Sequence, residues 1–262
     1  MRQLITAAQV LPGPAGERIA DGAVLIDGDT IVAVGPRAEL ERVDGPVIRR
    51  DYPQQTVLPG LINCHVHLAF DAGMRPVEAL TEATDDELLP AMADRAGQAL
   101  RAGVTTVRDL GDRGGLAVRL RDAINAGKFD GPSIVAAGPP LTPPGGHCWF
   151  LGGEVADQAA IRRQVRHNAE LGAEVIKVMA SGGQMTPNSP PMWQTQFTAD
   201  DLRVVVEEAG ALGLPVAAHA HGTDAIAAAV EAGVTTVEHC TWLRSGGQGY
   251  DQRDDIARAM AE

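Results

Sequence analysis

Five of the seven histidines fall in three short motifs, each directly behind an apolar, β-prone run. The motifs are Asn63-Cys64-His65-Val66-His67, Ala217-Ala218-His219-Ala220-His221-Gly222 and Val237-Glu238-His239-Cys240. In an extended strand residues i and i+2 point to the same side, so His65 and His67 can converge on one ion. His221 shares a face with His219 by the same spacing. Neutral imidazole is the commonest protein ligand for zinc-like metals. A single H-x-H pair is ordinarily structural, but three histidine-bearing strand ends in one chain point to a metal centre. Lys177 lies inside the apolar run Val175-Ile176-Lys177-Val178-Met179, where an ammonium is costly to bury. A lysine snorkelling at a strand edge would explain it. So would an amine whose pKa falls far enough for it to react with carbon dioxide, giving a carbamate able to bridge two cations.

Such groups need a scaffold that brings distant strand ends together. From residue 60 onward apolar runs at 61–63, 104–108, 133–137, 175–179, 216–218 and 235–237 alternate with helical stretches at 87–102, 156–171, 199–212 and 224–232. Gly103, Gly172, Gly213 and Gly233 sit where left-handed residues would end those helices. Thr198-Ala-Asp-Asp201 resembles a capping box, and Thr223-Asp224 an N-cap. The hexapeptide Ala-Gly-Val-Thr-Thr-Val occurs at 102–107 and again at 232–237, marking two equivalent helix-to-strand junctions. Repeated βα units with near-continuous apolar strands imply a parallel sheet covered by helices. In a parallel barrel the chemistry sits at the C-terminal strand ends, where the histidines fall. At a spacing of about 35 residues, eight units need about 280 residues, more than the chain supplies after Gly60. The expectation is an α/β chain with a (β/α)8 TIM-type barrel of only six units over 59–262.

The first 58 residues differ. Short β-prone runs at 4–10, 23–26, 30–34 and 47–50 are separated by Pro-Gly-Pro, Asp-Gly-Asp and Asp-Gly-Pro turns. Asp27-Gly28-Asp29 is a hairpin signal. Residues 1–58 therefore read as a small β-sandwich-like domain.

Composition narrows the function. The chain has 262 residues, 34 acidic against 22 basic, for a net charge of −12. This balance argues against nucleic acid and anionic membranes as partners, since both need clustered Lys and Arg. Three widely spaced cysteines, Cys64, Cys148 and Cys240, argue against a disulfide framework. No apolar run reaches membrane-spanning length. The expectation is a soluble, cytoplasmic protein acting on a small molecule, with a homo-oligomer open. Cys64 and Cys240 read as small packing residues, and Arg108-Asp109 as a structural ion pair or loop anchor.

Pro59-Gly60-Leu61-Ile62-Asn63-Cys64-His65-Val66-His67-Leu68 resembles the first-strand signature of the amidohydrolase superfamily. Ile176-Lys177-Val178-Met179-Ala180-Ser181-Gly182-Gly183, His219-Ala-His221-Gly222 and Val237-Glu238-His239 resemble its fourth, fifth and sixth strand ends, in order. The likeness is greatest to the imidazolonepropionase-related, prolidase-like branch, with its Xaa-Pro and Xaa-Arg/Lys dipeptidases. The resemblance implies two divalent ions, zinc, held by His65, His67, His219 and His239, with Lys177 carboxylated by carbon dioxide as the bridge. His65 and His67 would hold the buried ion, His219 and His239 the more exposed one. It also implies that a metal-activated hydroxide attacks an amide carbonyl of a dipeptide or N-acyl amino acid. The loop Pro143-Pro144-Gly145-Gly146-His147-Cys148-Trp149-Phe150 resembles the substrate-facing loop of this branch, placing His147 against substrate. His221 is expected near the substrate or capping the next helix, and Ser181-Gly182-Gly183 to turn amides toward a substrate carboxylate. A cyclic-amide or lactone hydrolase, a deaminase and a non-catalytic binding module are the alternatives; Lys177 counts against the deaminase. The resemblance further implies a strand-eight aspartate for proton transfer, absent from these residues, so no residue is assigned as the catalytic acid–base. The expectation is a fragment of a longer chain or a truncated gene product, catalytically incomplete alone.

Overall fold

The structure, a computed structural model, describes residues 1–13 and 16–261. The chain divides into two compact units, Met1–Leu61 and Ile62–Glu262. The Pro14 end of the Pro-Gly-Pro turn and Glu262 lie outside the described residues.

The first unit contains β1 (Arg2–Val10), β2 (Ile19–Asp27), β3 (Thr30–Pro36), the short α1 (Arg37–Leu40) and β4 (Val47–Val57). The strands form one sheet in the order β3-β2-β1-β4, antiparallel except for the parallel β1–β4 pair. The hairpin forms where its signal lies. Asp27 pairs with Thr30 across Gly28-Asp29, with Gly28 at φ 64°. The expected sandwich does not appear: among the described residues this unit holds one sheet. Leu4, Ala23 and Leu25 are covered by Ala33, Leu40, Val43 and Val47, so α1 and the turn after it supply the apolar layer that a second sheet would provide.

The second unit runs β5 (Leu61–Val66), α2 (Pro76–Glu82), α3 (Asp85–Arg101), β6 (Val104–Asp109), α4 (Leu116–Asn125) and β7 (Ser133–Ala136). A 3-10 turn (Trp149–Leu151), α5 (Gln158–Leu171), β8 (Ile176–Met179), α6 (Ala199–Ala211), β9 (Val216–Gly222), α7 (Thr223–Ala232), β10 (Thr236–Leu243) and α8 (Asp254–Ala259) follow. The six strands fall where apolar runs predict them, but form two three-stranded sheets, β5-β6-β7 and β10-β9-β8, rather than one closed ring among the described residues. Leu141, beyond β7, makes a parallel bridge to Val178 of β8. One core cluster joins β8 and β9 to α5, α6 and α7; another joins β6 and β7 to α3 and α4. A small third cluster takes Leu110, Ala137, Val175 and Ala217 from four successive strand segments. Lys177 and His219 follow two of these by two residues, on the same face and one step nearer the C-terminal ends.

The four expected helix-ending glycines all have positive φ, from 72° to 96°. Thr198 and Asp201 close the capping box, each side chain accepting from the other's backbone N–H. The two Ala-Gly-Val-Thr-Thr-Val junctions share their glycine turn, but β6 starts at Val104 and β10 only at Thr236. α4 carries no helical signal at its start because Gly114-Gly115 precede it. The Asp112 carboxylate caps it instead, accepting from the N–H groups of Gly115, Leu116 and Ala117 at 2.7–2.9 Å. Thr223 does not cap α7. Gly222 takes that position, where a Cβ would strike the Trp193 carbonyl, and Thr223 donates to the Asp251 carbonyl at 2.9 Å.

Candidate metal centre

A cavity of about 250 Å³ at the C-terminal strand ends of the second unit is lined by His65, His67, His147, Lys177, His219, His221 and His239, together with Cys148, Gln184 and three methionines. All seven residues singled out in the sequence as ligands or substrate contacts meet there. A larger open depression of about 680 Å³ in the first unit, around Arg2, Asp27 and Asp44, gathers no comparable set of donors.

Five of the cavity imidazoles have a nitrogen committed to the protein, among them His147, whose Nδ1 lies 2.9 Å from Thr186 Oγ1. His65 Nδ1 lies 2.9 Å from Glu238 Oε2, His67 Nδ1 2.9 Å from the Gly111 carbonyl, and His219 Nε2 3.0 Å from the Gly182 carbonyl. Carbonyl and carboxylate oxygens only accept, so these ring nitrogens carry the proton and the opposite nitrogens keep their lone pairs. Thr241 donates its hydroxyl proton to the His221 carbonyl at 3.2 Å, which leaves its oxygen to accept from His221 Nδ1 at 3.0 Å. The Nε2 atoms of His65 and His67 then face each other as two acceptors 3.3 Å apart. Two nitrogens bound tetrahedrally to one zinc at about 2.0–2.1 Å are separated by about 3.3 Å, so the pair has the spacing that a shared cation requires. His219, His221 and His239 offer three further ligand atoms, all within 4.8 Å of one another.

Burial favours the neutral form of five of the cavity's rings. It pushes His67 down to about 3 and His147 and His239 to about 4, and lowers His219 and His221, with the Lys177 charge adding to each. Lys177 is fully buried and its Nζ has no hydrogen-bond partner. Burial brings its amine down to about 7, against the opposing pull of the Glu238 carboxylate. A buried, unpartnered amine that its surroundings push toward the neutral form, beside convergent lone pairs, fits a group awaiting a covalent or coordinating partner. The donor set therefore fits divalent metal ions.

Sequence reasoning gave Glu238 no part, although it stands inside the third histidine motif. Burial alone would raise its carboxyl; hydrogen bonds from His65 and Thr236 and the Lys177 and Arg108 charges bring it down to about 2. Consecutive residues of a regular strand face opposite ways, yet Glu238 reaches His65 while His239 lines the cavity. The strand breaks there: His239 and Cys240 have φ of 65° and 48°, and the register with β9 shifts after His239.

Of the other expectations, some hold and some are corrected. Arg108 and Asp109 do not pair with each other. Arg108 donates to Glu238, whereas Asp109 accepts from the backbone N–H of Leu68 at 2.8 Å and of Gly111 at 3.1 Å, so it is a loop anchor. Burial and the nearby Asp112 push its carboxyl up. The Ser181 and Gly182 amides are taken by the carbonyls of His219 and Gln194 and do not point to a ligand. The segment serves the histidines instead, and a Cβ on Gly183 would clash with the His147 ring. His147 N donates to Gln196 Oε1 at 2.8 Å, and Gln196 Nε2 to the Met179 carbonyl at 2.7 Å, tying the 143–150 loop to β8. Cys64 is exposed rather than packed, on the strand face opposite His65; Cys240 packs against the β8–β10 core.

Parallel strands covered by helices, with histidines and a buried lysine gathered at their C-terminal ends, define an α/β scaffold of the TIM-barrel type. The chain belongs to the amidohydrolase family, which residues 56–260 match; residues 22–42 match the imidazolonepropionase-like composite domain of bacteria. It is 31% identical to the ochratoxinase of Aspergillus niger over 265 residues, covering 91% of this chain and 54% of that protein. It is 29% identical to the imidazolonepropionase of Salinispora tropica over 272 residues, covering 92% and 62%. The crystal structure of a prolidase complexed with N-methylphosphonate-L-proline matches 100% of this chain and 64% of that one, at a TM-score of 0.84 and 31% identity. The chain thus spans between half and two thirds of the length of these relatives. Among the described residues no helix is long and apolar enough to cross a membrane.

Proposed function

We propose that the second unit is the metal-holding part of a hydrolase that cleaves an amide carbon–nitrogen bond in a small molecule. His65, His67, His219 and His239 would hold two divalent ions, zinc by donor type, with Lys177 as a carbamate between them. Bound there, the ions would supply Lewis acidity toward water and the scissile carbonyl. The chain's own residues do the rest. The Gly111, Gly182 and Glu238 acceptors hold the rings in their tautomers, and His147 and His221 face the space left for substrate.

The observation that carries this reading is the unpartnered, buried Lys177 amine among inward-facing imidazole lone pairs. The prolidase relative, with its phosphonate analogue of an acyl-proline, supports a substrate whose amide lies next to a free carboxylate, such as a dipeptide or N-acyl amino acid. The match of residues 22–42 to an imidazolonepropionase-like domain supports a cyclic amide as the second reading.

Metal analysis of protein prepared with zinc and 13C-bicarbonate tests the proposal. Two ions per chain and a carbamate carbon signal are expected in the wild type, with both the signal and about one ion lost in Lys177→Met. Unchanged stoichiometry and affinity in that variant would reject the bridge. Among dipeptides, N-acyl amino acids and cyclic amides, turnover confined to the last would select the second reading.

A further inference from the structure

We propose that Glu238, locked in place by Arg108, is a positioning residue that fixes His65 in the tautomer a metal ion needs; the inference rests on the metal reading above. Glu238 joins three strands. Its Oε1 accepts from Arg108 Nη2 at 2.7 Å and Thr236 Oγ1 at 2.8 Å, and its Oε2 accepts from His65 Nδ1 at 2.9 Å. Arg108 is itself held, donating through Nε to the Cys64 carbonyl at 2.7 Å and through Nη1 to Thr236 Oγ1 at 3.2 Å. Two donors therefore occupy one carboxylate oxygen and leave the other for His65. With the proton fixed on Nδ1, the His65 lone pair is on Nε2, 3.3 Å from its counterpart on His67.

The arrangement works only because both carboxylate oxygens accept. An amide has one accepting oxygen and one donating nitrogen. In Glu238→Gln the guanidinium and the Thr236 hydroxyl claim the oxygen, so the NH2 group must face His65 Nδ1. That nitrogen then has to accept, and the ring proton moves to Nε2, the atom turned toward His67. Side-chain size is unchanged, but the charge facing Arg108 is lost as well, so the His65 tautomer, and not zinc affinity alone, is the readout that isolates proton placement.

The test uses 15N-histidine NMR and zinc titration of the intact protein, with His65 assigned through His65→Gln. Metal-free wild type is expected to show the Nδ1–H tautomer at His65, and Glu238→Gln the Nε2–H tautomer with zinc affinity about 10–100-fold lower. In Arg108→Met/Glu238→Gln the amide is free to turn its oxygen to His65, and the Nδ1–H tautomer and part of the affinity should return. A general loss of structure would not be rescued by removing a second anchor. Wild-type tautomer and affinity in Glu238→Gln overturn the proposal, as does a folded double variant no better than the single one. If the double variant does not fold, the tautomer of the single variant decides. A wild type that binds no divalent ion sinks the metal reading, and the tautomer comparison still decides whether Glu238 sets the His65 proton.

Discussion

Replacing Lys177 by methionine should make the metal-free protein more stable while removing the group proposed to bridge its ions. Lys177 is fully buried and unpartnered, and its amine lies at about 7 in the fold against 10.5 in the unfolded chain. Each unit of difference corresponds to about 1.4 kcal/mol, so the buried amine costs the metal-free fold up to about 5 kcal/mol. Local relaxation makes this an upper bound. Between about pH 7 and pH 10.5 the unfolded chain binds more protons than the fold, so this group's contribution to stability rises with pH. The penalty is complete below about pH 7 and absent above about pH 10.5. Methionine fills nearly the same volume without a charge. Urea unfolding with a chelator, in buffer freed of carbon dioxide, should show Lys177→Met several kcal/mol more stable at about pH 7. That advantage should shrink steadily toward about pH 10. Subtracting the two proteins at each pH cancels the titration of groups remote from Lys177, and the histidines coupled to it are already neutral across this range. A variant no more stable than wild type near pH 7, or an advantage that does not change with pH, would refute the claim that an unpaired amine is buried here.

Two further substitutions separate positioning from folding. Gly183→Ala drives a Cβ against the His147 ring, so in protein that turns substrate over kcat/KM should fall by about 100-fold while metal content stays at the wild-type value; a metal assay beside kinetics checks both. Asp109→Ala removes the acceptor of the buried Leu68 and Gly111 N–H groups, each costing about 1–3 kcal/mol when left unpaired, and should lower the urea midpoint. Because the Gly111 carbonyl also orients His67, zinc affinity should fall in the same variant.

Much of the scaffold was legible because it is written in local patterns. Six apolar runs mark six strands, and glycines with positive φ close the helices where the sequence places them. The histidines were legible for the same reason: strand ends in a parallel α/β chain converge, so residues far apart in sequence meet at one cavity. Where the patterns are not local, the reading stopped. Strand signals in the first unit do not say how many layers the strands make, so one sheet covered by a one-turn helix reads like a sandwich. The start of α4 carries no local mark, because a glycine pair precedes it and its cap, Asp112, lies outside the helix.

The supporting shell of the site was hidden for a deeper reason. Arg108 and Glu238 are 130 residues apart, and each looks ordinary in its own strand. Strand alternation even argues against Glu238, since a neighbour of an inward histidine should face away. Only the left-handed backbone at His239 lets two adjacent residues serve one cavity. That conformation is strained for a residue with a side chain, and it persists where surrounding structure enforces it. Here the enforcing contacts lie on both sides of the break. Glu238 is fixed by Arg108, Thr236 and His65, and beyond the break Thr241 is tied to His221. The strain and the histidine cluster are thus two aspects of one arrangement: β10 gives up its regular register so that a ring and a carboxylate, consecutive in the chain, can both reach the centre.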